Sequence, residues 1–153
     1  MTVEEMTGKE CLKVLEMTGF GRLGCVHENQ PYVVPIYFAA QVDLVYAFSM
    51  PGRKIDWMRG NPRICLEVDT IDSATDWTSV IVLGRYEELL DTPNREDERM
   101  LAQRLLQSRP MWWEPGSLAV QGEPVRPASV VPVVFRIVIE HLTGRRCVPA
   151  TEE

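Results

Sequence analysis

The sequence has few of the residues that metal binding and nucleophilic catalysis require. Its 153 residues include two histidines, His27 and His141, and four scattered cysteines that form no CxxC pair. A metal site is therefore not expected, because zinc sites draw on closely spaced cysteines and histidines. The chain also contains neither a G-x-S-x-G motif nor a Walker A or GxGxxG loop. A serine hydrolase and the common nucleotide-binding folds are therefore not predicted.

Positive charge is scarce, with 16 Lys and Arg against 22 Asp and Glu, a net charge of −6. Nucleic-acid binding depends on clustered cations, so no nucleic-acid partner is predicted. No apolar run is long enough to span a membrane, and the acidic N-terminus lacks the apolar core of a signal peptide. We therefore expect no membrane partner and a cytoplasmic protein with reduced cysteines.

Hydrophobic patterning predicts one domain over residues 1–153, mainly β with inserted helices. Close spacing and short turns favour a closed or nearly closed barrel. Glu28-Asn29-Gln30 is predicted to form a hairpin turn, and Ile64, Leu66 and Val68 are predicted to point inward. Gly84 indicates a bulge or a close backbone approach. Residues 70–76 are predicted to form a polar loop, and residues 144–146 are predicted to end the last strand. The predicted helices are 4–17, a short one after Gly52, and one from Pro93 to about 107; the predicted strands are 21–27, 32–40, 44–49, 63–69, 77–90 and 130–142.

The strand at 32–40 carries apolar residues on both sides, which is typical of a strand buried on both faces or lying against a bound molecule. Pro35 removes one ladder donor, so this strand is expected to lie at an edge or a bulge, or to face a ligand.

The turn from Ser49 to Lys54 has the composition of an anion site. Ser49 is a good capping residue, Pro51 suits a first helical turn and Gly52 allows close approach. Arg53 and Lys54 would then oppose the helix dipole, and a bound phosphate would remove that conflict. A solvated turn with two surface cations explains the same residues, and from this segment alone both interpretations stay open.

The order of several segments resembles the pyridoxamine 5′-phosphate oxidase-like flavoproteins, nearest the branch of nitroimidazole-resistance-type reductases. The resemblance covers roughly residues 15–145. Its segments are GRLG at 21–24, PYVVPIYF at 31–38, YAFS at 46–49, GRK at 52–54, NPRICLEVD at 61–69, WTSVIVLGR at 77–85 and VFRIVIEHLTGR at 134–145.

This resemblance implies a split β-barrel that forms a homodimer, with FMN, or FAD as the alternative, at each of two interface sites. Ser49 and Lys54 match the family's phosphate contacts, with Arg53 beside them. The strand that meets the edge of the flavin ring corresponds to Val34, Pro35, Ile36 and Tyr37. The segment that approaches the flavin, expected from the partner chain, corresponds to Trp77, Ser79 and Val80.

The implied function is an FMN-dependent oxidoreductase that acts on a small planar substrate by flavin hydride transfer. A non-catalytic flavin-binding or sensing module is the alternative, and a haem-binding member of the same fold is a weaker one. Pyridoxamine phosphate oxidation itself is not predicted, because the Arg-rich C-terminal segment of those enzymes is not reproduced at 144–147. No catalytic side chain is identified. Trp112 and Trp113 could cover a flavin, contact a partner or fill the core.

Overall fold

The computed structural model describes residues 1–108 and 131–150. Within them it contains three α-helices and one eight-stranded antiparallel sheet. A 3₁₀ turn at Pro93–Arg95 leads into the third helix. The elements are β1 (Thr2–Glu5), α1 (Gly8–Thr18), β2 (Phe20–His27), β3 (Gln30–Tyr37), β4 (Ala39–Gln41), β5 (Leu44–Ser49), α2 (Arg53–Gly60), β6 (Arg63–Ser73), β7 (Asp76–Glu88), α3 (Glu96–Gln107) and β8 (Val133–Val148).

The sheet curls until its two edges come close together. Its strand order is β3-β2-β6-β7-β8-β5-β4, so β3 and β4 lie at opposite ends. These two strands are nevertheless consecutive in the chain, and only Phe38 separates them. One residue cannot cross the width of a flat sheet, so the edges must be neighbours. The predicted nearly closed barrel is confirmed as a barrel split between β3 and β4.

Three predicted element boundaries at one end of the sheet are wrong. Residues 2–5 form strand β1, and α1 begins only at Gly8 after the Thr7 cap. Strands β6 and β7 extend through most of the predicted loop at 70–76 and join at a two-residue turn. Strand β8 continues past Gly144 to Val148, because β1 pairs with its last residues. Polar residues form these extensions, so no hydrophobic alternation marks them.

Two other local predictions are confirmed. The turn between β2 and β3 places Glu28 and Asn29 at positive φ, 48° and 63°, which is the geometry of a two-residue hairpin. The pairing of β7 with β8 shifts register next to Gly84, as the predicted bulge requires. There the backbone of β8 lies so close to Gly84 that a Cβ would clash with the Val138 carbonyl oxygen.

The main core fills the curled sheet, and α1 and α2 pack against it. Two smaller buried clusters lie between α3 and the strands β4 and β5. The inward residues of β6, Ile64, Leu66 and Val68, are buried as predicted. In contrast, the described residues do not cover β3 on both faces. Its side chains at Val33 and Pro35 are exposed, Val33 by 63%. Strand β3 is an edge strand, which agrees with the prediction from Pro35.

No helix in residues 1–108 or 131–150 combines the length and the apolar character needed to cross a membrane. The cytoplasmic location stays a prediction. Trp112 and Trp113 lie outside the described residues.

Candidate functional site

The turn from Ser49 to Lys54, which we call the phosphate turn, connects the end of β5 to the start of α2. Arg53 and Lys54 occupy the first turn of this helix, as predicted. The predicted cap is wrong, because Gly52 is the N-cap and no side chain caps the helix. Ser49 instead is fully buried, and its hydroxyl donates to the Met50 carbonyl over 3.1 Å. The two cations therefore stand at a helix N-terminus that no side-chain oxygen caps.

Arg53 lies across two aromatic rings. The central carbon of its guanidinium is 5.5 Å from the centre of the Tyr32 ring and 5.8 Å from that of Trp57. The Trp57 ring meets the Tyr32 ring edge-on at 5.3 Å and stacks on the His27 ring at 5.2 Å. Among the described residues, no carboxylate or carbonyl oxygen accepts a hydrogen bond from Arg53, whose side chain is exposed. Its donors therefore remain available to an anion.

Lys54 lies close enough to Cys25, in the neighbouring strand β2, to influence that thiol. Burial and the nearby Cys65 raise the pKa of Cys25, and the Lys54 ammonium partly offsets this rise. Cys25 thus stays a protonated, buried thiol near neutral pH. The Lys54 ammonium therefore acts on the side of α2 that faces β2.

The four predicted residues of β3 lie on the free edge of the sheet. Among the described strands β3 pairs with β2 alone, so half of its backbone donors and acceptors point away from this ladder. Ile36 turns its side chain into the core, and the Tyr37 ring packs on the Phe20 ring at 4.9 Å. Any contact of Ile36 with a ligand would therefore come from the backbone.

The third predicted group, Trp77, Ser79 and Val80, lies near the start of β7. Val80 is fully buried, whereas Trp77 and Ser79 are half-buried and border an open cavity of about 520 Å³ next to Arg145. The Ser79 hydroxyl lies 3.4 Å from a carboxylate oxygen of Glu67. Burial and the adjacent Asp69 raise the pKa of Glu67 to about 6.

The register of the sheet separates these groups within one chain. Ser49 pairs with Val133 at the start of β8, while Trp77 pairs with Cys147 near its end. Those two positions are separated by roughly 45 Å measured along the strand. The phosphate turn and the Trp77 region therefore lie at opposite ends of the paired strands β7 and β8.

One row of the sheet face that points away from the core is apolar on four of the five strands that it crosses, and the charged residues Arg22, Glu67 and Asp69 lie beside it on the same face. Val33, Gly24, Cys65, Leu83 and His141 oppose one another in a single row across β3, β2, β6, β7 and β8. Ile81 and Leu83 are 44% and 49% exposed, and a cavity of about 590 Å³ opens along the row. We call this surface, with Pro35 and Ile81, the outer face.

The aromatic partners of Arg53 are absent from the sequence-based site. Trp57 follows Arg53 by four residues in α2, a spacing that places two side chains on one helix face. That spacing was a usable signal. The contact of Tyr32 with Arg53 has no such signal in the sequence, since it depends on how α2 packs against the β2–β3 hairpin.

Comparison with known proteins gives a consistent picture of the family. A family model described as pyridoxamine 5′-phosphate oxidase matches residues 7–146. An uncharacterized protein of Rhizobium meliloti is 41% identical over 145 residues, which cover 95% of each chain.

Two solved structures extend the comparison. A crystal structure of a FAD-binding protein from Mesorhizobium loti is 41% identical, with a TM-score of 0.80 over 97% of this chain and 99% of that one. A candidate 5-nitroimidazole antibiotic resistance protein from Bacteroides thetaiotaomicron is 17% identical, with a TM-score of 0.65 over 95% of this chain and 89% of its own. The latter likeness concerns the fold alone.

Proposed function

Because the chain belongs to the pyridoxamine 5′-phosphate oxidase family, we propose that it binds a flavin, FMN or FAD, and is an oxidoreductase acting on a small planar substrate. One observation carries the proposal: Arg53 and Lys54 share the first turn of α2, and no oxygen of the described residues accepts a hydrogen bond from Arg53. The likeness to the Mesorhizobium loti protein, which is described as FAD-binding, supports a flavin.

The donor set at the turn fits a phosphate group. A phosphate monoester carries nearly two negative charges at neutral pH and accepts several charge-assisted hydrogen bonds. Two cations at the start of a helix oppose its dipole, and a bound phosphate would reverse that penalty. Lys54 and Arg53 would hold the phosphate, and Ser49 stays a predicted contact whose hydroxyl would have to leave the Met50 carbonyl.

We propose that a second copy of the chain completes the site. The β3 edge at Val34–Tyr37 would meet the flavin ring from the chain that binds the phosphate. Trp77 and Ser79 lie at the other end of the paired strands β7 and β8, so they would approach the same flavin from the partner. The apolar outer face supports such a homodimer, since monomeric proteins rarely expose a large contiguous apolar surface.

When bound, the flavin would supply the redox chemistry by accepting and donating hydride. The chain itself would hold the phosphate, orient the ring against the edge of β3 and limit the access of water. None of the described side chains stands out as a general acid or base, so we assign no catalytic residue.

Two measurements test this proposal: identification of the bound cofactor, and a kinetic assay of oxidoreductase turnover. Protein purified from cells should show flavin absorbance, and denaturation should release FMN or FAD that mass spectrometry identifies. Rapid-mixing reduction with NADH or NADPH, followed by reoxidation with small planar acceptors, tests the oxidoreductase. Tight flavin binding without turnover would instead indicate a binding or sensing module. A colourless protein that cannot be reconstituted with either flavin would refute the proposal.

The phosphate contact is tested by Lys54→Ala. Loss of a charge-assisted contact should weaken FMN binding by about 1–3 kcal/mol. Lys9→Ala, an exposed lysine of α1, is the control and should leave FMN affinity unchanged. Equal FMN affinities for Lys54→Ala and the parent protein would remove Lys54 from the site.

The homodimer is tested by a substitution that introduces a charge on the outer face. Leu83→Glu should convert the dimer to monomer in sedimentation equilibrium and lower flavin affinity with it. Met17→Glu, which places the same charge at an apolar residue of α1 that is 72% exposed, should do neither. A parent protein that sediments as a monomer would contradict the two-chain site.

A further inference from the structure

The aromatic cluster at the phosphate turn has no function in the site described so far. It consists of Tyr32, Trp57 and His27, and Arg53 lies over the first two rings. We propose that Tyr32 and Trp57 are positioning residues, which hold the Arg53 guanidinium at the turn and thereby strengthen binding of the phosphate end of the flavin. This inference rests on the proposed function, because it concerns the same phosphate site.

The two rings can position Arg53 because they are themselves held in place. Trp57 packs against the main core on one side and stacks on the His27 ring at 5.2 Å on another. Tyr32 is half-buried in β3, and its ring meets the Trp57 ring at 62°. An arginine that rests on two fixed rings has fewer accessible rotamers than one in open solvent. It therefore loses less conformational entropy when an anion binds.

The contacts of Arg53 leave its hydrogen-bonding capacity intact. A cation–π contact uses the flat face of the guanidinium, whereas the N–H donors lie in its plane. Asp56 is three residues further along α2 and could pair with Arg53, yet no ion pair joins the two in the described part of the chain. The rings thus replace a carboxylate partner that would compete with phosphate.

Planarity makes this role specific to arginine. Lysine carries the same charge, but its ammonium presents no flat face to the two rings and no fork of donors to a phosphate. We therefore expect Arg53→Lys to weaken FMN binding although the charge is kept. Lys54 would act as a charge, so the rings should matter little to its contribution.

Riboflavin provides the matched ligand for the test, because it carries the flavin ring without the phosphate. Affinities of apoprotein for FMN and riboflavin are measured by quenching of flavin fluorescence. Trp57→Leu should weaken FMN binding about two- to five-fold, the range of a contact at an exposed site, and leave riboflavin affinity unchanged. Trp57→Phe should retain most of the FMN affinity. Tyr32→Leu, on a different element, should repeat the result if Trp57→Leu fails to fold.

A double-mutant cycle isolates the positioning effect. In an Arg53→Ala background, Trp57→Leu should change FMN affinity no further. An equal loss for FMN and riboflavin, or an undiminished effect of Trp57→Leu without Arg53, would overturn the inference while leaving the flavin site standing. If the parent protein binds neither flavin, the proposed function fails first and the inference with it.

Discussion

Arg59 binds Glu88 through two hydrogen bonds, from Nε to Oε1 over 2.8 Å and from Nη2 to Oε2 over 3.2 Å. The pair joins the last turn of α2 to the end of β7. Glu88 also accepts a hydrogen bond from the Tyr86 hydroxyl at 2.7 Å. The helix that carries Arg53 and Lys54 is therefore fastened to the sheet at its C-terminal end, where a cation also complements the helix dipole.

Glu88→Gln should loosen this attachment. A fork-shaped arginine–carboxylate contact at a partly exposed site contributes about 1 kcal/mol, so the free energy of unfolding should fall by roughly that amount. Pairing with Arg59 lowers the pKa of Glu88. The stabilisation is thus fully present above the ordinary carboxyl pKa of 4.5 and is lost as the pH falls below it.

Urea unfolding at pH 7 and at pH 3.5 measures both effects. Glu28→Gln, in the exposed β2–β3 turn, is the control and should match the parent protein at pH 7. A Glu88→Gln protein as stable as the parent at pH 7 would show that the contact does not hold α2.

Gly84→Ala should strongly destabilise the fold. A Cβ at this position would lie 2.9 Å from Cγ2 of Ile137 and clash with the Val138 carbonyl oxygen. Because the obstacle is backbone, β7 and β8 would have to separate at their register shift, and we expect a loss of about 2–4 kcal/mol. Thermal unfolding compares it with Gly60→Ala, where an added Cβ meets nothing within 4 Å. That control should be neutral or slightly stabilising.

The sequence was most informative where hydrophobic alternation or turn chemistry is strong. Glu28 and Asn29, Gly84 and the inward residues of β6 were predicted correctly because each effect is local. Strand β1 and the outer parts of β6, β7 and β8 were missed, since polar strands are held by pairing with distant partners rather than by a buried face. The Ser49 cap was wrong because the helix begins at Arg53 with Gly52 as its N-cap, three residues after Ser49.

The candidate site shows the same division. Arg53 and Lys54 were placed in the first turn of α2 from the Pro51-Gly52 signal and the resemblance. The contact of Arg53 with Tyr32 joins a helix residue to a strand residue 21 positions earlier, and no local pattern encodes it. The separation of Ser49 from Trp77 within one chain likewise follows only from the register of β8.

Arg136→Met should release α3 from the sheet. Arg136 donates to Glu98 of α3 at 2.5 Å and to Glu87 of β7 at 3.4 Å, with its side chain only 20% exposed. Its removal leaves two half-buried carboxylates without this partner, so we expect a loss of about 2–3 kcal/mol. Arg95→Met is the matched control. Arg95 contacts the same Glu98 but is 35% exposed, and its loss should cost well under 1 kcal/mol.

Amide hydrogen exchange distinguishes detachment of α3 from global unfolding. In Arg136→Met, protection should fall over residues 96–107 before it falls in β7. Uniform loss of protection across the sheet would argue against a specific role in holding the helix.

Glu67→Gln should make the protein more stable at neutral pH. Glu67 lies beside Asp69 on the outward side of β6, and burial together with that carboxylate raises its pKa to about 6. The folded state therefore holds the proton more tightly than the unfolded chain. The contribution of this proton to the free energy of unfolding is fully present below pH 4.5 and is lost as the pH rises through about 6.

Above that pH, the ionised pair costs roughly 1 kcal/mol once partial exposure is allowed for. The parent protein should accordingly lose stability between pH 5 and pH 7.5, and Glu67→Gln should abolish most of this slope in urea unfolding. Asp69→Asn should have a similar effect, because it removes the neighbouring charge, whereas Asp72→Asn at an exposed site should not. An unchanged slope in Glu67→Gln would assign the pH dependence to another group.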